Sequence, residues 1–120
     1  MAKILIIEDN RQNMYLTAFI LKSHHHDVLQ AFDGLEGIEC AERNLPDLIV
    51  LDIQLPGMDG YSVAAAIRRN PLTKHIPMVA VTSYAMPGDR ERVLASGCSG
   101  YIEKPINPDT FMKEIAAHLP

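Results

Sequence analysis

Three stretches of the chain are apolar without interruption: Ile4 to Ile7, Leu48 to Leu51 and Met78 to Val81. Runs this short, apolar on both faces, predict central parallel strands covered by helices on each side; a surface strand would alternate polar and apolar residues. The weaker run Gly100-Tyr101-Ile102 and the stretch Val28 to Phe32 supply two further strand candidates.

Helical patterns fill the intervals. From about residue 11 to residue 23, Met14, Ala18 and Leu21 share a stripe, with Tyr15 and Phe19 on its flank. Asp33-Gly34 opens a second helix running to about Arg43 and ended by Asn44 ahead of Pro46. Asp59-Gly60 is a turn into a third, with Val63, Ala66 and Ile67 inward and Asn70-Pro71 as its stop. Pro87 suits the first turn of a fourth helix, which Gly97 ends. Asn107-Pro108-Asp109 combines a cap, a fixed φ and a first-turn acid, and Phe111, Ile115 and Leu119 give the last helix its buried face.

The order is therefore βαβαβαβαβα, an α/β fold with a parallel sheet, right-handed crossovers and helices on both faces. No linker or repeat divides the 120 residues, so one domain over 1–120 is expected. No apolar run approaches the ~18 residues of a membrane span. The first residues are too short in every region for a secretory signal, so a cytoplasmic protein without membrane contacts is expected. The formal charge of −4, with Lys and Arg scattered apart from Arg68-Arg69, counts against direct nucleic-acid binding. Cys40 and Cys98 read as reduced, buried thiols. His24-His25-His26 reads as a solvated turn, because consecutive residues do not share a helix face.

Ligands of open α/β sheets bind beyond the carboxyl ends of the strands. There the first strand ends in Glu8-Asp9, the third in Asp52 and the fourth in Thr82, while the fifth leads to Lys104-Pro105. Each residue alone has an ordinary explanation: Glu8-Asp9 as a helix cap, Thr82 as a strand-end hydroxyl, Lys104 as surface charge. Their convergence on one rim is what points to a site. Two carboxylates about 4 Å apart repel by up to ~4 kcal/mol at an effective dielectric near 20. Three of them against one lysine require either a retained proton or a divalent cation. All-oxygen ligands favour Mg²⁺, and a phosphate sharing that ion completes a pattern used in phosphoryl transfer. Asp52 is the better nucleophile of the three because it closes the central apolar strand, Leu48 to Leu51, and a carboxylate needs no general base. A phosphoryl group there adds about one negative charge, to which Lys104 can pair and Thr82 can donate. That movement is a switch.

With these residues in place, the sequence resembles the receiver domains of bacterial two-component systems over essentially its whole length. The resemblance is carried by residues 4–10 (ILIIEDN), 46–52 (PDLIVLD), 56–60 (PGMDG), 76–82 (IPMVAVT) and 100–105 (GYIEKP). It implies a flavodoxin-like doubly wound sheet of strand order 2-1-3-4-5. It makes Asp52 the acceptor of a phosphoryl group from a histidine kinase or histidine phosphotransfer protein. Mg²⁺ is then held by Asp9, Asp52 and the carbonyl of Gln54, with Glu8 acting through water. Thr82 and Tyr101 match the family's switch pair, and the Lys104-Pro105 bond is expected to be cis.

Ser83 departs from the alanine common after the switch threonine, and the bulk of Tyr84 predicts slower hydrolysis of the phosphoryl group. The expected role is a signalling switch rather than an enzyme with its own substrate. Its downstream protein would read the fourth helix, fifth strand and fifth helix. Either a stand-alone receiver or the receiver portion of a longer chain fits. An aspartate-nucleophile phosphatase of the haloacid dehalogenase type would place its nucleophile after the first strand and add a lid. A flavodoxin-like cofactor binder would carry a Ser/Thr/Gly-rich loop where Glu8-Asp9-Asn10 stands. Both fit poorly.

Overall fold

The computed structural model describes residues 2–83 and 88–119. Five parallel strands form one sheet: β1 (Lys3–Ile7), β2 (Asp27–Ala31), β3 (Leu48–Asp52), β4 (Met78–Thr82) and β5 (Gly100–Glu103). Their spatial order is β2-β1-β3-β4-β5, so the order reverses between β1 and β3. Five helices alternate with them: α1 (Arg11–Ser23), α2 (Gly34–Asn44), α3 (Gly60–Arg69), α4 (Asp89–Ala95) and α5 (Pro108–Ala116).

The apolar runs behave as two-sided strands. Leu5, Ile7, Ile49, Leu51, Met78 and Ala80 enter one core with Ala41 of α2, Val63, Ala64 and Ile67 of α3, and Val93 of α4. Ile4, Ile6, Leu48, Val50, Val79 and Val81 enter the other, against Met14, Ala18 and Leu21 of α1 and Phe111 and Ile115 of α5. This alternation is the period of two along a strand. It explains why Ile4 to Ile7 in β1, Leu48 to Leu51 in β3 and Met78 to Val81 in β4 are apolar throughout.

Side-chain caps start α1, α2, α3 and α5, while α4 follows Gly88 without one. Asn10 accepts from the backbone N–H of Asn13, Asp33 from Glu36, Asp59 from Ser62 and Asn107 from Asp109. Replacing an N-cap aspartate removes the partner of a helix-end N–H. Asp33→Ala is therefore expected to lower stability by about 1 kcal/mol in urea denaturation. Asp33 lies outside the acid cluster, so a loss below a few tenths would mean that its cap is not used.

Several local expectations need correction. The buried arc of α1 extends through Thr17 and Ile20, whereas Tyr15 and Phe19 are 72% and 61% exposed, their rings stacked with centroids 6.3 Å apart. Ala64 rather than Ala66 is buried in α3. Leu119 lies beyond α5 and is half-buried. The edge strand β2 begins and ends one residue earlier than its apolar residues suggest. The helix α4 begins at Asp89 after Gly88, and the expectations for Pro87 and Tyr84 fall outside the described residues. Cys98 is buried, but Cys40 is only half-buried; both are free thiols. The Lys104-Pro105 bond is cis.

Candidate functional site

The reversal of strand order puts the ends of β1 and β3 side by side, with β4 next to β3. Asp52 is the last residue of β3 and is 4% exposed, and Glu8, one residue beyond β1, is 5% exposed. Both continue the strand rows that face α1 and α5, since Ile4-Ile6 and Leu48-Val50 occupy the same parity. Asp9 follows Glu8 and is exposed. The helix cap belongs to Asn10, so neither acid is used to start α1. One carboxylate oxygen from each of Glu8, Asp9 and Asp52 lies within 4.8 Å of the others.

Lys104 reaches this cluster from the end of β5. Its backbone N–H donates to the carbonyl of Thr82 at 2.8 Å, tying the approach to β4. Its Nζ lies 2.9 Å from Glu8 Oε1 and 3.3 Å from Asp52 Oδ2. Burial alone would lower the Lys104 pKa; the contacts with Glu8 and Asp52 outweigh that and raise it, so the ammonium stays charged. One cation faces two buried carboxylates. Glu8 shows the strain of that imbalance: burial, then a hydrogen bond and repulsion from Asp52, push its pKa from 4.5 to about 7 despite Lys104.

Thr82 ends β4 and is 3% exposed. Between it and Asp52 stands a residue whose side chain the sequence did not single out. The Gln54 N–H donates to Asp52 Oδ1 at 2.9 Å. Its side-chain amide nitrogen donates to Thr82 Oγ1 at 3.1 Å, and its amide oxygen accepts from Ser83 Oγ at 3.0 Å. An amide two residues past an acid has no pattern to mark it, because its partners lie 28 and 29 residues away. Tyr101 is half-buried against the core on the α2, α3 and α4 side, and burial raises its phenol pKa.

The histidine turn makes no such cluster. His26 accepts the Ala2 N–H through Nδ1, and His24 Nδ1 lies 3.0 Å from the carbonyl of Ile20. Among the described residues, the acids at the sheet rim are the one group of three or more His, Cys, Asp or Glu able to share a cation.

Comparison with known proteins agrees with this geometry. The family model described as the response regulator receiver domain matches residues 4–116. The polar-differentiation response regulator DivK of Brucella anthropi is 38% identical over 116 residues, covering 97% of this chain and 94% of that protein. The chemotaxis protein CheY4 of Vibrio cholerae superposes with a TM-score of 0.94 at 28% identity, covering 99% of each chain. The receiver domain of the sensor histidine kinase PA1611 of Pseudomonas aeruginosa superposes with a TM-score of 0.90 at 32% identity, covering 98% of this chain and 96% of that one. That structure has a magnesium ion coordinated in its active site cleft. With a family match spanning nearly all of its length, the chain belongs to the response regulator receiver domains of two-component signal transduction.

Proposed function

We propose that this receiver, a single domain over residues 1–120, accepts a phosphoryl group on Asp52 from the phosphohistidine of a histidine kinase or phosphotransfer protein. The observation that carries this reading is the meeting of Glu8, Asp9, Asp52 and Lys104 at one end of the sheet. An oxygen of the Asp52 carboxylate forms the new O–P bond as the P–N bond of the donor breaks. The bonding pair leaves with the imidazole nitrogen. A carboxylate attacks without giving up a proton, so no general base is needed.

The donor set fits Mg²⁺: it is all oxygen, carries excess negative charge and has Asp9 open to solvent, where the ion's waters can remain. Asp9, Asp52 and the Gln54 carbonyl would hold the ion, with Glu8 acting through water. When bound, it would supply positive charge to the phosphoryl oxygens. The N–H of Gln54 fixes the Asp52 carboxylate, and Lys104 is drawn to the added phosphoryl charge. Exchange of Lys104 from Glu8 toward the phosphoryl group, with Thr82 donating to it and Tyr101 turning inward, biases two conformations. A protein partner reads α4, β5 and α5. The chain acts as a cytoplasmic switch with no substrate beyond its own phosphoryl group, and without direct nucleic-acid or membrane contact; no described helix is long and apolar enough to cross a membrane.

Intact-mass measurement after acetyl phosphate and Mg²⁺ tests the reading. One phosphate-sized gain, localised to the peptide containing Asp52 and abolished by chelation, is expected. A protein that gains nothing, or gains phosphate on another residue, refutes it.

A further inference from the structure

Gln54 closes a bridge between two loops that the phosphoacceptor chemistry must rearrange. Its backbone is tied to Asp52, while its carboxamide spans to β4 and engages two successive hydroxyls, as donor to Thr82 and acceptor from Ser83. Both ends of the amide are used, so its orientation is set from both sides. Gln54 is half-buried and Ser83 is exposed, which leaves the bridge at the mouth of the site rather than in the core.

From this geometry we infer that the Gln54 side chain is a latch for the resting state: it holds Thr82 and Ser83 together and opposes the displacement of Thr82 toward a phosphoryl group on Asp52. The inference rests on the phosphoacceptor reading and names a positioning residue for it. For Thr82 Oγ1 to approach a group on Asp52, its bond from the Gln54 amide must stretch or break. Ser83 restrains the same amide through its oxygen. The cost falls on the activated state alone, so the latch sets how far the resting protein populates that state. A serine after the switch threonine supplies a hydroxyl that an alanine there would lack, giving the departure at Ser83 a physical use.

Removing the Gln54–Thr82 hydrogen bond is expected to change the resting-to-active ratio about three- to tenfold. Gln54→Leu keeps the bulk and removes both side-chain bonds; Ser83→Ala, at an exposed position, removes one and does not threaten folding. The probe is beryllofluoride, titrated at saturating Mg²⁺ and followed by the NMR methyl signal of Thr82. Gln54→Leu is expected to bind it about three- to tenfold more tightly. Before any addition, the Thr82 signal of this variant should already lie displaced toward its beryllofluoride-saturated position. Ser83→Ala should move both quantities in the same direction by less.

Unchanged or weaker binding in both variants, with a Thr82 signal that stays at the wild-type position, overturns the latch while leaving the phosphoacceptor reading intact. A Gln54→Leu protein that fails to fold passes the decision to Ser83→Ala. Wild type that takes up no beryllofluoride overturns both.

Discussion

Asp52→Asn is expected to abolish the phosphate-sized mass gain and, in chelator, to weaken the dependence of stability on pH. The first effect follows from losing the nucleophilic oxygen, since an amide at neutral pH presents no carboxylate. The second follows from Glu8. Its folded pKa of about 7 lies above its unfolded value of 4.5, so the folded protein holds the proton more tightly. That contribution is fully present below pH 4.5 and is lost as pH rises through 7. Over the full interval the loss reaches about 3 kcal/mol. Burial is the largest cause that raises Glu8, and its hydrogen bond with Asp52 and the charge on Asp52 add to it. The variant removes the charge and leaves Lys104 facing one carboxylate instead of two. Urea denaturation in EDTA at pH 5 and pH 8 measures the difference. Wild type should lose clearly more stability between them than Asp52→Asn. Equal losses would mean that Glu8 is not raised by Asp52. Retained phosphorylation would mean that Asp52 is not the acceptor.

The same residues show what the sequence could and could not reveal. Ile4 to Ile7, Leu48 to Leu51 and Met78 to Val81 are legible because a strand packed on both sides admits no polar residue, so the first polar group marks the strand's exit. Glu8, Asp52 and Thr82 stand at those exits, which is why the cluster could be assembled without coordinates. The edge strand β2, with its first and fourth residues exposed, has no such uniformity and its limits shifted by one.

On α1 the expected flank of Tyr15 and Phe19 is the wrong side of the stripe. Aromatic side chains suggested burial, yet Thr17 fills that place, beside Glu8, Val50 and Asp52. The direct Lys104–Glu8 pair was also out of reach, because it joins residues 96 apart by side-chain rotamers alone. Gln54 is the sharpest case. Its backbone place beside Asp52 follows from chain order, but the grip of its amide on Thr82 and Ser83 depends on how β3 and β4 lie against each other.

Gly60→Ala should cost about 2–3 kcal/mol, lowering the melting temperature by about 10 °C, although alanine is the better helix former. No positive φ is involved, so the penalty is one of space. A Cβ at Gly60 would meet Ile53 Cα at 2.5 Å and the Asp52 carbonyl oxygen at 2.7 Å. Both obstacles are backbone, and neither can rotate away. The Gly60 N–H also donates to the Ile53 carbonyl at 2.9 Å, clamping the start of α3 onto the residue after Asp52. Relief of the clash therefore displaces either α3 or the segment carrying Asp52 and Gln54. Weaker Mg²⁺ binding should accompany the lower melting temperature. Gly57→Ala is the control: its φ is +77°, but nothing lies within 4 Å of the added carbon, so only about 1 kcal/mol of backbone strain is expected. Thermal melts with and without Mg²⁺ separate the two. If Gly60→Ala melts no lower than Gly57→Ala, the close approach of α3 to the end of β3 does not constrain the site.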